Sequence, residues 1–151
     1  MPAPTRRIEV TAIGLATHAR EFKEAADALV AGGEQPDHAM AIHYLYGHAI
    51  ELALKAFLRH REVPSSVLRH EIGHDLVALV RRVFEVDPTD RIGIAGERRL
   101  LIESLGGTYG LNGFEYRIVP ESVPIPYGEL APVAGHVVDR VTTILRSARR
   151  S

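Results

Sequence analysis

Two groups of residues in this chain have the types and spacing to do chemistry. The first is His70-Glu71-Ile72-Gly73-His74, a literal His-Glu-x-x-His, in which two histidines one helical turn apart can hold zinc while the glutamate acts as general base. That mechanism needs all five residues inside one α-helix and a further ligand, for which only a distant carboxylate such as Glu97 or Glu103 is on offer. Gly73-His74-Asp75 just ahead of an apolar run reads instead as the start of a helix, with Asp75 in a first turn that favours negative charge. The expectation is therefore that no metal is held here, and no other motif calls for a cofactor.

The second group is a polar line. Tyr44, His48, Glu51, Lys55 and Arg59 fall 4, 3, 4 and 4 residues apart and so share one stripe of a helix. Glu51 ahead of Lys55 is the favourable order for an i, i+4 ion pair, worth about 0.2 to 0.5 kcal/mol on an exposed face. The leading expectation is a solvated face. The alternative is that a narrow polar line on an otherwise apolar helix faces a groove or a partner.

Other chemistries are excluded by what is missing. The chain has no cysteine, so neither a disulfide framework, a thiolate zinc site nor a cysteine nucleophile can exist. It contains no Gly-x-Ser-x-Gly, no Gly-Lys-Ser/Thr and no Gly-x-Gly-x-x-Gly. With 18 Lys plus Arg against 19 Asp plus Glu, no global field gathers polyanions, and any nucleic-acid contact must be local. The clusters Arg81-Arg82, Arg98-Arg99 and Arg146, Arg149, Arg150 read as solubilising faces rather than phosphate clamps. No apolar run approaches a membrane span, and Met1 to Arg7 lacks the apolar core of a secretory signal, so a cytoplasmic protein without a membrane partner is expected.

The elements that must position these residues are helices. The 151 residues, 46% apolar, suffice for one domain with one core, spanning about residues 11 to 149. Leu15, Ala19, Phe22, Ala26 and Leu29 step by 4, 3, 4, 3 and end at Gly32-Gly33. From about Asp37 to Arg61 two apolar seams run side by side, Ile42-Leu45-Ala49-Leu52-Ala56 and Tyr46-Ile50-Ala53-Phe57, which places this helix at the centre. Pro64-Ser65-Ser66 breaks the chain before a third helix, which Asp87-Pro88 stops. A fourth is expected over about Thr89 to Leu105, closed by Gly106-Gly107. Leu130, Ala134, Val137, Val141, Ile144 and Ala148 form the closing helix. The intervening stretch, Gly106 to Pro126, reads as a long loop whose Phe114 to Val119 run alternates like a strand without a partner. The fold class expected is an all-α, up-and-down bundle of four to five helices with one long loop before the last.

Ala49-Ile50-Glu51-Leu52-Ala53-Leu54-Lys55-Ala56-Phe57-Leu58, followed by Gly73-His74-Asp75-Leu76, resembles the HEPN domain family. Phe114-Glu115-Tyr116-Arg117 before the closing helix is similar to the aromatic and arginine segment of some standalone members, and the resemblance spans roughly Ala39 to Leu145. It implies an all-α bundle, often a homodimer, in prokaryotic defence or toxin-antitoxin systems, with RNA or a nucleotidyltransferase-type protein as partner. Tyr44, His48, Glu51, Lys55, His74, Asp75, Tyr116 and Arg117 are then the candidate groove residues. Catalytic members carry an arginine, four to six residues, then a histidine near the final helix, for metal-independent RNA cleavage. Here the one literal match is Arg69 to His74, ahead of the third helix, and His136 in the closing helix has no arginine at that distance. The expectation is a non-catalytic interaction module with His74 docking the third helix near Glu51 and Lys55; the alternative is a ribonuclease using Arg69 and His74.

Overall fold

The computed structural model describes residues 10–32, 39–109 and 126–149, with the side chains of 107–109 and 127 left aside. Among them are five α-helices and one π-helical turn, and no strand. The all-α bundle expected from the spacing is what the chain adopts.

Helix α1, Ala12–Ala31, starts where the Thr11 hydroxyl accepts from Gly14 N–H, the bond that satisfies a donor orphaned at a helix start. Helix α2, Ala39–His60, is the core element: Ile42, Tyr46, Ala49, Ile50, Ala53, Leu54, Ala56, Phe57 and Leu58 are all buried, while Leu45 and Leu52 of the first apolar seam are half-buried against the core. It ends with Glu62 N–H bonded to Arg59 C=O and Val63 N–H to Leu58 C=O, a Schellman closure that places Glu62 at positive φ. The π-helical turn Val67–Ile72 follows, closed by Gly73 N–H on Leu68 C=O. Helix α3, Leu76–Val86, is capped by the Asp75 carboxylate, which accepts from Ala78 N–H at 3.0 Å. Helix α4 is Glu97–Tyr109 and α5 is Tyr127–Arg149. Helix α2 packs on α1, α5, α3 and α4, while α1 also meets α5 and α3 meets α4.

Two expectations about α4 need correction. It begins at Glu97 rather than Thr89, because Asp90, Gly93 and Gly96 all take positive φ, which a right-handed helix cannot contain. The Asp90 carboxylate fixes that loop by accepting from Ile94 and Ala95 N–H at 2.8 and 3.0 Å. Gly106-Gly107 does not stop the helix either, which runs on to Tyr109. A Cβ at Gly106 would lie 3.1 Å from Leu76 Cβ, so this glycine serves the close approach of α4 to α3. The expected loop thus loses its first four residues to α4; the rest of it to residue 125, including Phe114 to Val119 with Tyr116 and Arg117, lies outside the described residues.

Candidate functional site

The polar line of α2 is not a solvated face. The Glu51 side chain is 1% exposed, Lys55 12% and His48 18%. A carboxylate so deep is tolerated only when paired, and the pairing comes from two directions. Along α2, one turn before it, His48 Nδ1–H donates to Oε2 at 3.1 Å, and one turn after it Lys55 Nζ stands 3.8 Å from Oε1. From the corner between the π-helical turn and α3, His74 Nδ1–H donates to Oε1 at 2.8 Å. An ionised carboxylate only accepts, so both histidines must present Nδ1 as the donor. The protonation states then follow from the surroundings. Burial pushes the Glu51 carboxyl up, but the His48 hydrogen bond, the Lys55 charge and the His74 hydrogen bond outweigh it and hold the group below the ordinary glutamate range. Burial pulls the Lys55 amine below its usual range, with Glu51 opposing.

The neighbours of His48 extend the site toward α1. The Phe22 ring meets His48 edge-on with centroids 4.5 Å apart, and the Tyr44 ring stacks on His48 at 5.7 Å. Arg59, at the far end of the stripe, donates from Nε to the Val10 carbonyl at 3.1 Å, tying α2 to the segment that leads into α1. Phe22 is the member that spacing did not single out, since its place in the α1 seam accounts for it without reference to α2.

His74 is the one member of the cluster with a large exposed surface, 66% of its side chain. With Nδ1 engaged by Glu51, Nε2 is left as the acceptor nitrogen of the neutral ring. A carboxylate orienting an exposed imidazole in this tautomer is an arrangement that can move protons. Asp75, by contrast, is occupied as the cap of α3, and Arg69, His70 and Glu71 are exposed on the π-helical turn.

The His-Glu-x-x-His reading requires one helix and does not find it. His70 and Glu71 belong to the π-helical turn, which ends at Ile72, and Gly73 at φ +56 turns the chain before His74. Glu103 accepts from Arg99 at 2.9 Å on α4, Glu97 lies in the first turn of that helix, and among the described residues no three His, Asp or Glu side chains converge as a metal site would need. His136 of α5 is engaged elsewhere, its Nε2 hydrogen-bonded with the Ile92 carbonyl at 2.8 Å on the loop before α4. No described helix is long and apolar enough to cross a membrane.

A scan against protein-family models and searches of curated proteins and of solved structures find no match to this chain.

Proposed function

We propose that this chain is a HEPN-like helical interaction module that does not itself catalyse. In this reading it pairs with a second copy of itself and acts beside a nucleotidyltransferase-type partner protein or RNA in a prokaryotic defence or toxin-antitoxin setting. The observation that carries the non-catalytic part is that most residues of the two resembling motifs are taken up by the joint between α2 and α3 or by the core. Glu51 holds His74, Asp75 caps α3, and Leu76 is fully buried. Ala49, Ile50, Ala53, Leu54, Ala56, Phe57 and Leu58 fill the core. Residues that build a helix junction leave the outer surface to meet a partner.

A second reading has its own support in the Glu51–His74 pair, which would suit a metal-independent ribonuclease. There His74 Nε2 would take the proton of a ribose 2'-hydroxyl and the exposed Arg69 guanidinium would face the phosphate.

Purified protein incubated with structured and single-stranded RNA in excess EDTA separates the two. The module reading expects no cleavage by wild type. Cleavage that persists in chelator and disappears in both His74→Ala and Arg69→Ala would replace it with the ribonuclease. Sedimentation of the same samples tests the pairing, with a dimer expected and a folded monomer at all concentrations counting against it.

A further inference from the structure

The second half of α5 is basic out of proportion to a chain of net charge −1. From Val137 onward it carries Arg140, Arg146 and Arg149 against one acid, Asp139, and Arg20 of α1 already stands 3.5 Å from that carboxylate. Between α1 and this half of α5 runs a groove of about 300 Å³. Its floor is aliphatic, with Leu145 buried and Ile13 left 45% exposed. Arg146 and Arg149 line its edge, exposed and without an acidic partner among the described residues. The helix dipole accounts for cations in a last turn. It does not account for a large apolar side chain left open below them.

The lining decides which class of anion fits. Single-stranded nucleic acid is held by aromatic platforms on which bases stack, and among the described residues no aromatic side chain lines this groove. Aliphatic floor and cationic edge match instead a peptide that carries both apolar and acidic side chains. We propose that the α1–α5 groove docks an acidic, amphipathic segment of a partner protein, its aliphatic side chains over Ile13 and Leu145 and its carboxylates on Arg146 and Arg149. The inference rests on the interaction-module reading and gives that module's partner a chemistry.

The test uses the full chain, isotope-labelled, with a synthetic amphipathic helix of leucine and glutamate as probe and a uridine oligonucleotide as rival. Amide shifts confined to the first turns of α1 and the last turns of α5 are expected, with affinity falling as salt rises. Arg146→Glu combined with Arg149→Glu should weaken binding by about tenfold or more, and so should Ile13→Ser, which leaves the charge unchanged. All three positions are exposed, so the melting temperature should stay at the wild-type value. Absence of shifts with saturating peptide overturns the proposal. So does binding of the oligonucleotide in this groove that Ile13→Ser leaves untouched. A chain that cleaves RNA in chelator yet binds the peptide keeps the groove and loses the non-catalytic reading, whereas one that does neither loses the groove alone.

Discussion

At the scale of single residues, Glu51 shows how a charge can be buried without becoming a liability. Two ring N–H donors and one ammonium surround it, and removing a buried one leaves the charge undercompensated, a defect that typically costs about 3 to 5 kcal/mol, with a smaller cost for the solvent-screened His74. The pH dependence follows from the direction of the shift. Because the folded carboxyl titrates below its ordinary value of 4.5, the unfolded chain takes up the proton first as pH falls, so the stabilisation is complete above that value and is lost as pH drops through the folded one. Asp27, held low by Lys23 and Tyr46 against the upward push of burial, and Asp87, held low in the same way by Thr89 and Arg91, add to the same acid limb. Denaturant titrations between about pH 7 and about pH 3 should therefore show Glu51→Gln less stable at neutral pH and with a shallower acid limb than wild type. An unchanged limb would mean that the carboxylate is not ionised in the fold. The i, i+4 relation of Glu51 to Lys55 was legible in the sequence. Its burial was not: local spacing carries no record of His74, 23 residues further on, whose approach to Glu51 and Lys55 is expected only from the family resemblance.

At the scale of elements, legibility tracks periodicity. Helices α1, α2 and α5 have apolar steps of three and four over many turns, and each forms within a few residues of where the spacing puts it. The region before α4 has weak periodicity, and its conformation depends on Asp90 entering the left-handed region with its own carboxylate closing the turn, an arrangement short polar side chains allow but do not announce. Gly106 was misread for a related reason. A glycine near a helix end can be a stop or a point of close contact, and only the position of Leu76 distinguishes them. The distinction is testable by substitution. Gly106→Val should destabilise by about 1 to 3 kcal/mol in a denaturant titration, because its branches must fit where Leu76 and Val77 already stand. Gly128→Ala at the start of α5, where nothing stands within 4 Å, should be neutral or stabilising by a few tenths of a kcal/mol. Equal effects at the two sites would remove the α3–α4 contact as the reason for Gly106.

At the scale of the whole molecule, α2 is the helix on which the other described helices pack, and the two candidate surfaces use different helix pairs of that arrangement. One is the polar joint where α3 is pinned to α2 through His74, and the other is the basic groove where α5 meets α1. Both depend on α5 being seated, since it closes the core against α2 and supplies the groove's cations. Val137 and Val141 are fully buried within a single copy of the chain, so their packing belongs to folding and not to pairing between copies. Val137→Asp places a carboxylate in the core, where Arg140, one turn on, is exposed and already donates to the Arg91 carbonyl, a cost of several kcal/mol against a stability of about 5 to 15 kcal/mol for a domain of this size. The variant should lose its cooperative melt at every protein concentration, whereas a variant that only broke a dimer would keep a folded monomer and shift its melting temperature with dilution. Arg149→Glu, on the exposed edge of the same helix, should melt as wild type does. Wild-type melting of Val137→Asp would place α5 outside the core, and with it the groove that its arginines border.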